Sequence, residues 1–182
     1  MIEIRLHGRG GEGAVTSAEL LAIAAINQGK YAQAFPSFGP ERRGAPVVAF
    51  CRISDTRIKL RTNILHPDIV LALSHTILKI VNIAAGLREN GTVIMNTRHA
   101  CADIRNELKL TCTVATVDAT RIAREETGLP ITNVTMLGAL LKACPILPPD
   151  SLIEPIQKRF GKVADGNIRA FKRAFEETQV LT

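Results

Sequence analysis

Met1-Ile2-Glu3-Ile4-Arg5-Leu6-His7-Gly8-Arg9-Gly10-Gly11-Glu12-Gly13 is the stretch whose reading decides the fold. Residues 2–7 alternate, with Ile2, Ile4 and Leu6 on one face, the period of a β-strand. Gly8, Gly10 and Gly13 then satisfy G-x-G-x-x-G, and an Ala/Leu-rich segment over 14–28 follows, stopped by Gly29. Gly29 suits the left-handed residue just past a helix end. Strand, glycine turn and helix are therefore expected in that order, and residues 31–35 supply a second strand, so the chain opens on a β-α-β unit. In such a unit the first glycine permits the tight turn, the second lets backbone approach a ligand, and the third lets helix pack on strand. Helix N–H groups at the turn can hold a phosphate. Thr16-x-x-Glu19 also matches a capping box, which would start the helix later; both starts remain open.

Outward from this unit, residues 35–46 are too rich in Gly and Pro for helix or central strand. Residues 47–53 read as a strong strand and Ser54-Asp55 as a turn. Residues 57–61 read as a short strand with Arg57, Lys59 and Arg61 on one face and Ile58 and Leu60 on the other, so an antiparallel hairpin is expected. Its basic face would discourage pairing at a sheet edge. Residues 68–73 are a near-continuous apolar run, typical of a strand buried on both faces. Ser74 is a candidate N-cap for a helix carrying Ile77, Ile80, Val81 and Ala84 as its stripe. Further strands are expected over 92–96 and 111–117, and helices over 100–108, from Asp118 or Ala119 to near Gly128, over 133–143, 152–160 and 164–178. The pattern implies a Rossmann-like α/β/α fold: a mainly parallel sheet, an antiparallel hairpin and C-terminal helices.

The composition agrees with one soluble domain over residues 1–182. A chain of 182 residues needs no disulfide or metal staple. With 46% apolar and 22% charged residues spread throughout, it is not a disordered tail. No apolar stretch approaches bilayer length, and the start is not a signal peptide. An intracellular, cytoplasmic protein is expected. The net charge of +6 is scattered, and one Tyr with no Trp makes a poor single-strand binder, so no nucleic-acid partner is expected. Cys51, Cys101, Cys112 and Cys144 form no Cys-x-x-Cys pair, and they read as small buried residues rather than metal or cluster ligands.

No self-contained catalytic constellation is visible. His7, His66, His75 and His99 are scattered, and no nucleophile elbow, Walker lysine or zinc-protease motif occurs. The glycine turn, Gly8, Arg9, Gly10, Gly11, Glu12 and Gly13, leaves three readings open: a dinucleotide site, a turn kept for backbone geometry, or a docking surface. Against the first, the second strand ends in Gln33-Ala34-Phe35 with no acid for a ribose, and Glu12 puts a carboxylate where a pyrophosphate would sit.

The pairing of Gly8-Arg9-Gly10-Gly11-Glu12-Gly13 with Phe38-Gly39-Pro40-Glu41-Arg42-Arg43-Gly44-Ala45-Pro46-Val47 closely resembles the gamma subunit of 2-oxoacid:ferredoxin oxidoreductases, in the pyruvate and 2-ketoisovalerate branch. The resemblance runs nearly end to end and includes Asn133 with Gly138 and a C-terminal helix opened by Asn167. It implies a holoenzyme that oxidatively decarboxylates a 2-oxoacid, pyruvate before 2-ketoisovalerate, to acyl-CoA, CO2 and reduced ferredoxin. It implies thiamine diphosphate and Mg²⁺ on alpha and beta subunits, [4Fe-4S] clusters on a ferredoxin-like delta subunit, coenzyme A as co-substrate, and no cofactor bound by this chain alone. Phe38, Glu41, Arg42, Arg43 and Gly44, with Arg57, Lys59 and Arg61, are the candidate docking or anion-contacting residues, the loop from Pro36 to Pro46 being expected at the carboxyl edge of the sheet with the glycine turn. Away from its partners the chain would expose apolar surface and could self-associate. The rival readings are a stand-alone nucleotide-binding oxidoreductase and a basic nucleic-acid-binding module.

Overall fold

The computed structural model describes residues 1–37 and 45–182. Strand β1 (Ile2–Arg9) runs through the glycine turn into α1 (Ala14–Asn27), followed by β2 (Tyr31–Pro36) and β3 (Pro46–Ser54). Next come β4 (Ile69–Ala72), a 3₁₀ turn at His75–Lys79, β5 (Thr92–Asn96), α2 (Cys101–Glu107) and β6 (Thr113–Val117). Helices α3 (Ala119–Thr127), α4 (Asn133–Ala143), α5 (Ile153–Phe160) and α6 (Ala164–Glu177) lead to a last strand, β7 (Gln179–Leu181).

The seven strands form one sheet in the order β2-β3-β1-β4-β5-β6-β7. β1, β4, β5 and β6 are parallel, β3 runs antiparallel to both β1 and β2, and β7 runs antiparallel to β6. Alternation along each strand splits the apolar residues between two cores. On one face Ile4, Leu6, Leu71, Ile94 and Ala115 pack with α1, α4 and α6; on the other Val70, Ala72, Val93, Met95 and Val114 pack with Ile77, Ile83, Cys101 and Ile104. Helix α4 is buried from Asn133 to Leu141, held between the sheet and α6. The α4–α6 approach depends on Gly138, where a Cβ would lie 2.1 Å from the Phe171 carbonyl oxygen.

The mainly parallel sheet, its antiparallel hairpin and the helical C-terminus agree with the expectation, but the strand over 47–53 pairs with a different second arm. Its arms are β2 and β3, with Tyr31 opposite Ser54 and Pro36 opposite Ala49. β3 thus fills the slot left between β1 and β2 by the β1-α1-β2 crossover. Because β3 has β1 on one side and β2 on the other, it has no free edge to pair with residues 57–61, which form no strand. A second correction concerns the helix expected after Ser74. Only the 3₁₀ turn forms, Ile80 is exposed, and the Ser74 hydroxyl faces Thr76 Oγ1 at 3.0 Å instead of capping a helix. The buried guanidinium of Arg5 takes the Ile83 and Ala85 carbonyls, which a continuing helix would need for its own ladder. Third, α1 starts at Ala14 with Gly13 as its N-cap, so the Thr16–Glu19 capping box is not used. Fourth, α6 opens at Ala164, and the Asn167 side chain bonds back to the Val163 carbonyl at 2.9 Å.

Candidate functional site

The glycine turn sits at the carboxyl end of β1, where Gly8 faces Val47 and Arg9 faces Pro46 of β3. Gly10 N–H donates to the Ala45 carbonyl at 3.0 Å, which ties the turn to the start of β3. The far side of the turn is closed by its own acid. Glu12 N–H donates to the Arg9 carbonyl at 2.9 Å, and Glu12 Oε2 accepts from Arg9 N–H at 2.8 Å. The Glu12 carboxylate therefore lies folded over Gly8, on a backbone N–H of the turn itself.

Two glycines are required by geometry. Gly11 has φ +95° in open space, and Gly13 has φ +84° with Asn133 directly above it. A Cβ at Gly13 would lie 2.7 Å from Asn133 Nδ2, and Ser17 Oγ is within 3.2 Å of the Asn133 carbonyl, so α4 braces the turn from outside. A cleft of about 330 Å³ opens between Arg9, Gly10, Gly11, Gly13, the first residues of α1 and Val47. No acid stands in the first turn of α1, so its N–H groups and the positive end of its dipole face this cleft uncompensated. Glu12 is not among the cleft's lining residues.

The crevice between β1 and β4, where a dinucleotide would cross such a sheet, is filled. Leu73 N–H donates to the His7 carbonyl at 2.8 Å, and the Leu73 carbonyl accepts from Asn96 Nδ2 at 2.8 Å and Thr132 Oγ1 at 3.0 Å. Thr132, just before α4, thus ties the start of that helix to the carboxyl end of β4.

A buried charge network lies on the other face of β1, and the alternation that revealed the strand gave no sign of it. Arg52, 1% exposed, pairs with Glu3 at 2.8 Å, and Arg88 bridges Glu3 at 3.0 Å and Asp68 at 3.2 Å. Arg5 Nε donates to His7 Nε2 at 3.0 Å. Burial first, and then the adjacent Arg5 charge, push the His7 pKa down to about 4. His7 is neutral at physiological pH and shut off from the cleft, which gives it a structural role.

Of the expected docking residues, Phe38, Glu41, Arg42, Arg43 and Gly44 lie outside the described residues. The flanks of that segment are placed: Ser37 N–H donates to Val48 O at 2.8 Å, and Ala45 meets Gly10. Arg57, Lys59 and Arg61 are exposed, not on a strand face but on a loop beside the edge strand β2. Gln33 Nε2 reaches the Ile58 carbonyl at 3.5 Å, and Arg61 borders a cavity of about 300 Å³ with Gln33, Ala34 and Phe35. The histidines do not remain scattered, since the His75 and His99 rings approach to 5.3 Å between centroids. Cys51 sits in one core, Cys101 and Cys112 in the other, and Cys144 is half-buried. Burial pushes the Cys51 thiol up to about 12 and raises Cys112 and Cys144, so these residues do not fit an iron–sulfur cluster, which needs converging thiolates. Among the described residues no group of three or more His, Cys, Asp or Glu could hold a metal, and no helix is long and apolar enough to cross a membrane.

The family model for pyruvate ferredoxin/flavodoxin oxidoreductase matches residues 3–177. The chain is 50% identical, over 182 residues covering 99% of it and 98% of the relative, to the pyruvate/ketoisovalerate oxidoreductases common subunit gamma of Thermococcus litoralis. Its fold superposes with TM-score 0.88 and 38% identity on the pyruvate oxidoreductase subunit PORC of Thermotoga maritima, covering all of this chain and 98% of that one. At 19% identity it shares the fold, with TM-score 0.72, of 30% of the 2-oxoglutarate:ferredoxin oxidoreductase chain of Magnetococcus marinus, a structure with 2-oxoglutarate, coenzyme A and succinyl-CoA bound; the match covers 96% of this chain.

Proposed function

The chain belongs to the pyruvate ferredoxin/flavodoxin oxidoreductase family, and from that membership we propose that it works as the gamma-type subunit of a 2-oxoacid oxidoreductase that makes acyl-CoA and CO2 and reduces ferredoxin. The observation that carries this reading is the end-to-end match to a gamma subunit at 50% identity. That relative is named as common to the pyruvate and ketoisovalerate enzymes, which favours substrate selection by other subunits. In this reading residues 1–182 act as one gamma-type domain in a cytoplasmic assembly with alpha and beta subunits, a ferredoxin-like delta subunit and ferredoxin as acceptor. Thiamine diphosphate with Mg²⁺ supplies the carbanion chemistry there, and [4Fe-4S] clusters carry the electrons. The described cysteines, dispersed between two cores and a half-buried site, leave the clusters to the other subunits.

This chain's own contribution is the glycine-turn cleft. Free N–H groups at the start of α1, backbone exposed by Gly10 and Gly11, and a carboxylate turned away suit the phosphate end of coenzyme A. Arg42 and Arg43, a few residues before the turn's partner Ala45 in sequence, and the exposed Arg57, Lys59 and Arg61 serve as docking cations for acidic groups of the partner subunits. A stand-alone nucleotide enzyme is disfavoured by the filled β1/β4 crevice, and NADH or FAD titrated into the isolated chain should show no binding.

The cleft is tested by placing a charge in it. Gly11 has open space where a Cβ would stand, and Asp and Asn tolerate its left-handed backbone better than other residues do. In the assembled complex Gly11→Asp should raise the KM for coenzyme A about tenfold, a loss of about 1.4 kcal/mol, while Gly11→Asn stays near wild type. The KM for pyruvate should not move. An unchanged coenzyme A KM in Gly11→Asp would remove the cleft from the reading and leave the subunit assignment standing.

A further inference from the structure

A second cavity, sharing no lining residue with the glycine-turn cleft, lies at the carboxyl ends of β4, β5 and β6. It measures about 370 Å³, and a smaller one of about 260 Å³ adjoins it across Thr97, Arg98, His99 and Asp118. Its chemistry is lopsided toward donors. Thr120 Oγ1 accepts from Asn96 Nδ2 at 2.9 Å, and Thr97 Oγ1 accepts from His99 N–H at 3.2 Å, so each hydroxyl keeps its own proton for another acceptor. Ser74 and Thr76, 3.0 Å apart, share one hydroxyl proton and leave the other. The His75 and His99 rings stand together at the rim, and His75 Nδ1 is buried without a partner among the described residues. Arg124 pairs with no carboxylate among the described residues.

Among the described residues, the one acid lining the larger cavity is already engaged. Asp118 caps α3 through Arg121 N–H at 3.0 Å and pairs with Arg98 at 3.2 Å. Of the groups facing in from the adjoining cavity, Arg121 and Glu177 satisfy each other. What is left is a small pocket holding three hydroxyl protons, two imidazoles and one uncompensated guanidinium.

We propose that this pocket is a binding site for the phosphate group of a small phosphorylated molecule. A carboxylate has two oxygens, fewer than the donors present. A phosphate dianion offers three terminal oxygens, each able to take more than one charge-assisted bond. The volume is at the low end for small-molecule sites and excludes a whole dinucleotide. The site is independent of the coenzyme A cleft.

The test is calorimetric titration of the full chain with inorganic phosphate and with phenyl phosphate, at constant ionic strength so that general screening does not enter. In the Gly11→Asp background, where the glycine-turn cleft carries a carboxylate of its own, both probes should still bind with one site per chain, phenyl phosphate the tighter. Arg124→Gln, on the exposed side of α3, should weaken both about tenfold, the loss of one charge-assisted hydrogen bond. Thr120→Val should weaken them at least several-fold, with its thermal midpoint recorded because Thr120 also anchors Asn96. Arg159→Gln, on α5 away from the pocket, should change nothing. Acetate binding as tight as phosphate would overturn the phosphate assignment in favour of a partner's carboxylate. Absent binding, or affinity unmoved by Arg124→Gln, would overturn the site.

Discussion

Alanine at position 13 should cost far more than alanine at position 11, although both glycines sit in the same turn with positive φ. At φ +84° or +95° an L-residue is in the left-handed region, at about 1–2 kcal/mol. Position 11 bears only that cost, because a Cβ there meets nothing within 4 Å. At position 13 the Cβ would lie 2.7 Å from Asn133 Nδ2, 2.9 Å from its Cβ and 3.1 Å from its Cγ. The clash with the Cβ cannot be relieved by turning the amide, so α4 itself must move. Overpacking of that kind adds about 1–3 kcal/mol, which brings Gly13→Ala to roughly 2–5 kcal/mol in all. In a chain of this length each kcal/mol lowers Tm by about 2–4 °C. Urea and thermal unfolding of the two variants, with Asn133→Ala and the double variant Gly13→Ala/Asn133→Ala, complete a cycle. The double variant should recover the overpacking part. Equal costs at 11 and 13, or no coupling between 13 and 133, would refute the idea that α4 braces the turn.

Gly138→Ala should be among the most damaging single changes, at least about 3 kcal/mol, because its Cβ would overlap the Phe171 carbonyl and push α6 off α4; a near-native denaturation midpoint would contradict the packing. Glu3→Gln leaves the fully buried Arg52 without its carboxylate and should cost about 3–5 kcal/mol, whereas Glu3→Met with Arg52→Met together should cost much less; chemical denaturation of the three proteins reads this out. His7 predicts a pH dependence. Its folded pKa is about 4 against an ordinary 6.5, so between those values the unfolded state binds more protons. Stability is therefore full above pH 6.5 and falls as the pH drops toward 4, by about 3 kcal/mol in total. His7→Gln should flatten that slope in unfolding curves measured across the window.

The sequence made some elements legible because each is decided locally. Gly29 and Gly128 stop their helices in the left-handed conformation, Asp118 caps α3 through its own side chain, and the β-branched run Thr113–Val117 is a strand. What it could not show depends on partners distant in the chain. The slot taken by β3 is a matter of strand order, and it leaves β3 no free edge to pair with residues 57–61. The helix after Ser74 fails because Arg5, about 80 residues upstream, captures its carbonyls. The stripe Glu3, Arg5 and His7 carries the ordinary signature of a solvated face, yet Arg52, Arg88 and Asp68 arrive from other elements to bury it. β7 has three residues and is held by β6, Cys101 and Arg105, none of which its own sequence announces. The glycine turn was read from spacing alone. The orientation of Glu12 inside it needed coordinates, as did the meeting of His75 with His99.

The central claim is that this chain completes a 2-oxoacid oxidoreductase. It is tested most directly by omission and add-back. The subunits proposed to surround it are purified with and without this chain, and pyruvate- and coenzyme A-dependent reduction of ferredoxin is followed spectroscopically. The account predicts activity falling to background without the chain and returning when the purified chain is added in a fixed ratio. Full turnover in its absence would contradict it.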